Sequence, residues 1–597
     1  MQNKYDVLKR VFGHSAFRAY QEEAVDALLG HQDVMMVLPT GAGKSLCYQL
    51  PSLVLEGISV VISPLLALMH DQVTALRAFG ISASMISSMQ DTQEIAQTMR
   101  ACEKGELKLL YVAPERLKSE AFIGFSQSLT INFFVVDEAH CVSEWGHEFR
   151  EDYRQLFWLK HYFPTTPIAA FTATATHLVE HDIISQLRLI SPTIIRANVA
   201  RENLTIKAQY RNANGREQLL AFLENFENES GIVYTFTRKE AESLALYLAT
   251  KHISARAYHA GLGTEEKNET YRAFLNDEIQ IVVATVAFGM GIDKSNIRFV
   301  VHMSLPKTIE NYYQEIGRAG RDGLPSSTLL LFSASDIVER KRLIEEQPES
   351  DYKKVAFEKL DKMAKFASSQ LCRHQLIANY FDDSILTCKT RCDNCVEDEH
   401  KSQDISHEAL KLLSAVYRTG QRFGLQYVVD VLMGAKNEKI EQNGHQHLSV
   451  YGIGKDKTRA QWLSIGDRLM ELEALHVGQF RVISLSEQGV KIIKERLSVS
   501  IHAKRLEVHT KVSKKAKKSV QGDFDVSFFE RLRALRLDIA KENSIPPYVV
   551  FSDKTLKEMA EKLPLDKEAM LQISGVGEVK FERYGEAFLE RCATLIS

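Results

Sequence analysis

Five short, unbroken apolar runs constrain the first third of this chain more than any other feature. They are VMMVLP (34–39), SVVISP (59–64), LKLLYV (107–112), NFFVVDE (132–138) and PIAAFTAT (167–174), with amphipathic stretches between them. A strand with one face in water alternates apolar and polar residues, whereas a strand buried on both faces does not. Runs of this kind predict a parallel sheet covered on both sides by crossover helices. Residues 205–335 repeat the design with GIVYTF (231–236), IQIVVAT (279–285), RFVVHM (298–303) and STLLLF (327–332). RKEAESLALYLATK (238–251) reads as a helix between two of them. The expected fold is α/β, with two parallel-sheet domains in tandem and a site in the cleft between them. After residue 340 the pattern turns helical and charged. Helices followed by an alternating pair, ALHVGQFRVISLSEQG (474–489), suit a winged-helix module, and residues 523–597 read as a small all-α domain.

At 597 residues, a chain of domains of roughly 100–200 residues should hold about four. No run of about 18 apolar residues suggests a membrane span. The N-terminal MQNKYDVLKRVFGHS lacks the apolar core of a secretory signal. A soluble, cytoplasmic protein without membrane contact is expected. Eight cysteines in this length are too sparse for a disulfide framework, yet three fall within residues 388–395, as metal ligands would. The net charge of −3 excludes a chain that is basic throughout. Residues 504–518, KRLEVHTKVSKKAKK, carry seven lysines and arginines against Glu507 alone. Such blocks are solvated linkers or nucleic-acid contacts.

The first run leads straight into TGAGKS, residues 40–45. The strict phosphate-loop spacing would put glycine where Leu38 stands, so only the core survives: Thr40, Gly41, Ala42, Gly43, Lys44 and Ser45. Gly41 and Gly43 let the backbone turn its N–H groups onto phosphate oxygens. Lys44 can reach the outer phosphates of ATP, and Ser45 can ligate Mg2+. A helix starting near Ser45 adds its positive end. Asp137 and Glu138 close another buried run. Asp137 suits Mg2+ held through water, and Glu138 suits orienting or deprotonating the attacking water. The second domain should then supply a cation to the transition state. QEIGRAGRDG (314–323) offers Arg318 and Arg321, three apart on one helical face. Arg321 is the first choice for that role and Arg318 the second.

Together these pieces resemble the RecQ family of superfamily 2 DNA helicases, and the resemblance covers nearly the whole chain. FRAYQEEAV (17–25) resembles the family's adenine-reading motif, with Gln21 as the base contact, but has Tyr20 where the family usually has glycine. DEAH (137–140) matches the box itself, His140 included. SPLLALMHDQ (63–72) and YVAPERL (111–117) match its DNA-tracking motifs, and FTATAT (171–176) the motif that couples hydrolysis to DNA. YHAGL (258–262) and ATVAFGMGIDK (284–294) match motifs of a second RecA-like domain. The resemblance implies RecA-like helicase domains over 1–203 and 204–338, and a zinc-binding subdomain over 339–402. A winged-helix (RQC) domain over 403–503, a basic linker over 504–522 and an HRDC domain over 523–597 would follow. It also implies ATP-driven 3′–5′ translocation on single-stranded DNA and unwinding of duplexes in recombination, repair and replication. The implied partners are single-stranded and duplex DNA in tailed, forked or junction form, a single-stranded-DNA-binding protein and a topoisomerase. The protein would act as a monomer at a bacterial nucleoid.

Cys388, Cys392 and Cys395 can share one tetrahedral ion, which needs a fourth ligand. Cys372, in SSQLCRHQLIANYF, is favoured and sits where the family places its first zinc cysteine; His374 is the alternative. Four thiolates leave no open position, so Zn2+ would be structural, with an iron–sulfur cluster the lesser option. Within LSVYGIGKDKTRAQW (448–462), the clearest match to the winged-helix part, Lys455, Lys457 and Arg459 suit phosphate contacts. The hairpin tip Gly478-Gln479-Phe480 is either a strand-separating pin or a packing element. Gly575-Val576-Gly577 is either a phosphate-facing turn or a plain connection between helices. The HRDC domain is expected to bind single strands weakly from a flexible tether.

VVDEAHCVSEWGHEFR (135–150) sets the acidic pair and an aromatic, basic cluster almost side by side. Residues 141–150 match the family's aromatic-rich loop. Trp145 and Phe149 would stack on bases, Arg150 would take phosphate or reach back toward the carboxylates, and His147 completes the DNA-facing set. The short covalent path is the expected coupling between DNA and the water-activating residues. Two rivals are weaker. An RNA-remodelling ATPase does not account for the cysteine module, and a non-unwinding scaffold does not account for Glu138 together with Arg321.

Overall fold

The predicted apolar runs become the central strands of two parallel sheets. The computed structural model describes residues 3–594 except 88–89, 118, 147–149, 213, 287, 290–293, 349, 397–401, 479–481, 503–505, 507–525 and 544. It divides into one unit of residues 1–360, 377–386 and 519–597, and a second of residues 361–376 and 387–518.

In the first unit, one sheet comprises β1 (Val34–Val37), β2 (Ile58–Ile62), β3 (Ala83–Ile86), β4 (Leu109–Val112), β5 (Ile131–Val136), β6 (Ile168–Thr172) and β7 (Thr193–Arg196). Their spatial order is β3-β4-β2-β5-β6-β1-β7, and each pairing is parallel. The other sheet comprises β8 (Leu204–Tyr210), β9 (Ser230–Tyr234), β10 (Ala255–Tyr258), β11 (Ile281–Ala284), β12 (Ile297–His302) and β13 (Ser326–Phe332). It too is parallel, in the order β10-β11-β9-β12-β13-β8. The unbroken runs exist because each central strand feeds two cores. Val34 and Met36 enter one with Cys47 and Phe171, while Met35 and Val37 enter the other with Phe134 and Leu159.

Four strands had no apolar run to announce them: β3, β7, β8 and β10. They are the four sheet edges. An edge strand is less enclosed and tolerates polar residues. In β8, Leu204, Ile206 and Ala208 are buried while Thr205 and Lys207 between them are not. The helix expected over 238–251 forms as Arg238–Ala249. Thr237 caps it by accepting from the Glu240 N–H at 3.2 Å, and Glu240 returns a bond from the Thr237 N–H at 2.9 Å.

The second unit contains helices Ser406–Arg418, Leu425–Met433 and Arg459–Glu471 around a shared core. An antiparallel hairpin, β15 (Leu475–Val477) with β16 (Ile483–Leu485), supplies the wing. β14 (Ser402–Asp404) pairs antiparallel with β17 (Ser500–His502). Trp462 is fully buried and its indole N–H donates to the Gly454 carbonyl at 2.7 Å. The hairpin tip at Gln479 and Phe480 lies outside the described residues.

The small C-terminal domain is built on helices Val526–Glu542, Asp553–Lys562 and Glu586–Ala593. Its core holds Phe528, Leu532, Phe551, Leu556, Met559 and Phe588. Where a tethered module was expected, the domain is docked against both sheet domains. The Gly575 N–H donates to the Gly13 carbonyl at 3.1 Å. A Cβ on Gly577 would lie 2.8 Å from the Val11 carbonyl oxygen. These glycines therefore serve close backbone approach, and the Gly575 donor meets protein instead of phosphate. Arg583 donates to the Ala78 carbonyl at 2.9 Å. On the other sheet domain, Arg536 is buried, pairs with Asp553 at 2.7 Å and lies 4.0 Å from Asp277. The basic residues Lys504, Arg505, Lys511, Lys514, Lys515, Lys517 and Lys518 lie outside the described residues.

Lys580 is buried at this contact, donating to the Val549 carbonyl at 2.7 Å with its ammonium 4.4 Å from the Phe79 ring centre. Burial pushes its pKa down to about 7. Nearby His14 is also pushed down, to about 4, by burial and by the positive charges of Arg18, Lys554 and Lys580. An unfolded lysine titrates near 10.4, so between about pH 7 and 10 the unfolded chain binds more protons at residue 580 and stability rises with pH. The Phe79 face favours the charged form and narrows that window. Lys580→Met should flatten this rise, with the largest gain in melting temperature near pH 7. Parallel melting curves of the parent and the variant over this window would refute the assignment. Among the described residues, no helix is long and apolar enough to cross a membrane.

Candidate nucleotide site and metal centre

β1 ends at Val37, and the loop Leu38–Gly43 carries the chain into the helix Lys44–Val54. Gly41 (φ +82°) and Gly43 (φ +87°) adopt the left-handed backbone that a phosphate-cradling turn needs. A Cβ on Gly43 would lie 2.5 Å from Gln21 Nε2. Gln21 is almost fully buried and its Nε2 donates to the Ala42 and Gly43 carbonyls at 3.3 and 3.1 Å. Its Oε1 accepts from the Arg18 N–H at 2.9 Å. Both amide hydrogens are thus used within the protein, which leaves a lone pair on Oε1 for a base. Lys44 is partly buried at the start of its helix. Burial pushes its pKa down, Glu138 and Asp137 pull it back up, and Arg321 lowers it further. One lysine therefore sits within the field of both carboxylates and of the second domain's guanidinium.

Tyr20, where the resembled family has glycine, has φ +71°. The backbone there is left-handed, which costs an ordinary residue about 1–2 kcal/mol. Tyr20→Gly should raise the melting temperature slightly, the relieved strain being offset in part by the freer unfolded chain. Tyr20→Val should lower it, because a branched Cβ fits this region worst. A Tyr20→Val protein that melts at or above the parent temperature would contradict the strain argument.

At the end of β5, the Asp137 N–H donates to the Ile62 carbonyl at 2.9 Å. Asp137 Oδ1 accepts from the Glu138 N–H at 3.0 Å. Glu138 also has a left-handed backbone, φ +50°. His140 is fully buried, with Nδ1 3.0 Å from Thr172 Oγ1 and 3.4 Å from Glu138 Oε2. Thr172 Oγ1 accepts from the Thr174 N–H at 3.2 Å, and Thr174 Oγ1 accepts from Gln314 Nε2 at 3.3 Å. A continuous chain of polar contacts runs from the acidic pair to the helix Ile309–Ile316 of the second sheet domain.

That helix leads into both candidate arginines, and the geometry separates them. A Cβ on Gly41 would lie 3.1 Å from the Arg321 Cα, so the Arg321 backbone seats directly on the phosphate loop. Arg318 is almost fully buried, next to Tyr234. The segment between them is clamped from below by residues the sequence did not single out. Arg201 donates to the Gly317 and Gly320 carbonyls at 2.9 and 2.6 Å, and Asn203 to Gly320 at 2.8 Å. No motif marks Arg201 or Asn203; only their pairing across more than a hundred residues does.

Past the box, the Trp145 N–H donates to Ser143 Oγ at 3.2 Å while the indole is about half exposed, 49%. Arg150 is turned inward: its Nη1 donates to the Pro64 carbonyl at 3.1 Å. Tyr153, also unforeseen, donates to the Asp137 carbonyl at 3.1 Å. His147 and Phe149 lie outside the described residues.

In the second unit, the Cys372, Cys388, Cys392 and Cys395 sulfurs all lie within 4.8 Å of one another. Zn–S bonds of about 2.3 Å in a tetrahedron need sulfurs roughly 3.8 Å apart, so the set fits zinc. His374, the alternative ligand, has its Nε2 3.1 Å from the Arg391 carbonyl oxygen instead. Arg373 and Asp393 form a buried ion pair, 3.0 Å, beside the cluster. Of the candidate phosphate contacts, Lys457 pairs with Glu408 at 3.0 Å and Arg459 with Asp430 at 3.1 Å. Lys455 packs its stem against Gly434 and Gly452. Lys457 and Arg459 thus have intramolecular partners that a phosphate would have to displace or share.

Five protein families match in succession: DEAD/DEAH box helicase over residues 18–181, helicase conserved C-terminal domain over 215–323, RecQ zinc-binding over 334–396, RQC domain over 399–510 and HRDC domain over 526–592. Among curated proteins, the ATP-dependent DNA helicase RecQ of Pasteurella multocida is 43% identical, covering 99% of this chain and 93% of its own length. That of Bacillus subtilis is 41% identical over 98% of this chain and 97% of its own. A phosphate loop, an acidic box and an arginine helix on two parallel sheets, and a four-cysteine cluster in the second unit, are what such a likeness requires. Carried along almost the full length of both chains, it shows that this chain belongs to the RecQ family of ATP-dependent DNA helicases.

Proposed function

We propose that the enzyme moves 3′ to 5′ along single-stranded DNA, hydrolysing ATP between the phosphate loop and Arg321 and separating the duplex ahead. The observation that carries the hydrolysis site is the seating of the Arg321 backbone on Gly41, which brings the second domain's cation to the loop that carries Lys44; the 3′-to-5′ direction is what membership of the RecQ family implies. In this reading Gln21 Oε1 accepts from the adenine amino group. Thr40, Gly41, Gly43 and Lys44 hold the phosphates. Ser45 and Asp137 would hold Mg2+, which neutralises phosphate charge when bound. Glu138 orients the attacking water, fixed by His140 and Thr172, and Arg321 meets the charge that develops on the transferred phosphoryl group. Trp145 stacks on a base from its half-exposed position. Tailed and forked duplexes are the substrates, with a single-stranded-DNA-binding protein and a topoisomerase as protein partners at the nucleoid.

The test is unwinding of 3′-tailed against 5′-tailed duplexes, with ATP turnover followed in parallel. Only the 3′-tailed duplex should be separated. Equal separation of both would overturn the polarity, and DNA-stimulated turnover with no separation would favour a scaffold that uses ATP as a switch.

A further inference from the structure

One lysine outside every motif bridges the loop after the acidic box and the helix that leads to the arginines. Lys359 lies on the helix Asp351–Ser368. Its ammonium donates to the Trp145 carbonyl at 3.1 Å and pairs with Glu310 at 2.9 Å. Both side chains are largely shielded, 16% exposed for Lys359 and 9% for Glu310. Glu310 stands in the first turn of the helix Ile309–Ile316, which carries Gln314 and continues into Arg318 and Arg321. Glu310 is also held by the Tyr380 hydroxyl.

We propose that Lys359 is a positioning residue that transmits DNA occupancy of the Trp145 loop to the arginine-bearing helix. This rests on the reading of Trp145 as a DNA contact and Arg321 as the transition-state cation. A single ammonium divides its hydrogen bonds between a carbonyl on the first sheet domain and a carboxylate on the second. The carbonyl belongs to Trp145 itself, so a base that stacks on the indole and shifts its backbone by about 1 Å breaks a bond of this length. The ammonium then keeps only its ion pair with Glu310, 2.9 Å, and the pair reorients together once the carbonyl no longer holds it. Glu310 sits at the root of the helix, so its displacement is felt at Gln314 and at Arg321. The Gln314–Thr174 bond gives the nucleotide side a second hold on the same helix. Covalent proximity of the box and the aromatic loop is therefore not the only path between DNA and hydrolysis. A through-space path closes across the cleft at Lys359.

The experiment compares Lys359→Met, Lys359→Arg, Glu310→Gln and Trp145→Ala in the full-length protein, using an oligothymidylate as the DNA. Turnover with and without DNA, ATP KM and DNA affinity by fluorescence anisotropy are measured for each. Lys359→Met should lower the DNA-stimulated kcat by about ten-fold, the scale of one charged hydrogen bond. DNA-free turnover, KM and DNA affinity should stay within about two-fold. Lys359→Arg should restore most of the stimulation, and Glu310→Gln should show the same uncoupling with the lysine still present. Full stimulation in Lys359→Met or in Glu310→Gln would overturn the proposal. So would an equal fall in DNA-free and DNA-stimulated turnover, which marks a general loss of structure. Trp145→Ala separates the two layers. If it keeps full stimulation, the DNA reading of the loop fails. If it loses stimulation while Lys359→Met keeps it, the relay alone fails.

Discussion

Arg321→Ala is expected to cut DNA-stimulated ATP turnover by about 10³-fold or more, the range in which arginine fingers operate. ATP binding should change only a few-fold, because the loss falls on charge that exists in the transition state and not in the bound nucleotide. The choice of Arg321 over Arg318 follows from packing. The Arg321 backbone lies against Gly41, while Arg318 is 4% exposed beside Tyr234. Truncating Arg318 opens a cavity and strands its neighbours, so Arg318→Ala should lower the melting temperature as well as turnover. Arg321→Ala should leave melting near the parent value. Steady-state turnover, equilibrium binding of a fluorescent nucleotide and thermal melting, measured together, distinguish the two. Retention of most of the turnover in Arg321→Ala, alongside its loss in a stably folded Arg318→Ala, would transfer the role to Arg318.

Removing the metal from the cysteine cluster is expected to cost more stability than any other single change. Structural zinc supplies about 10–16 kcal/mol to small zinc-finger peptides at neutral pH. Here the four sulfurs converge within 4.8 Å from positions up to 23 residues apart, and Cys392 is fully buried among them. Cys392→Ala leaves three thiolates, so zinc content should fall below one equivalent and a new low-temperature melting transition should appear. His374→Ala should keep its zinc, because that imidazole faces the Arg391 carbonyl. One equivalent of zinc and unchanged melting in Cys392→Ala would dismiss the four-thiolate site.

The central strands, the phosphate loop and the three clustered cysteines were legible because each is a local pattern with one physical cause. Burial on both faces erases alternation in β1, β2, β5, β9 and β12. Two left-handed glycines mark the loop, and close cysteine spacing marks a shared ion. What was not legible depends on partners far along the chain. Lys359 reads as one charge in a helical stretch until Trp145, 214 residues away, arrives beside it. Lys457 reads as one cation in a loop until Glu408 arrives beside it. Gly575 and Gly577 look like an anion turn until Gly13 and Val11 close on them. The sheet edges were missed for a related reason, since β7 and β10 carry the mixed residues that partial exposure permits. Tyr20 stands between these cases: its departure from the family was visible, but its left-handed backbone was not.

The docked position of the small C-terminal domain carries a thermodynamic obligation. It touches Gly13, Val11 and Ala78 on one sheet domain and approaches Asp277 on the other. A change in the separation of those domains must therefore stretch or release one of the two attachments. Docking and cleft geometry are then linked reciprocally: a nucleotide state that tightens docking by some factor is itself tightened, by the same factor, when the domain is docked. Truncating residues 519–597 should consequently alter nucleotide affinity, although none of the proposed nucleotide contacts is removed. Where nucleotide changes that separation, the C-terminal domain counts thermodynamically as a ligand the enzyme carries with it.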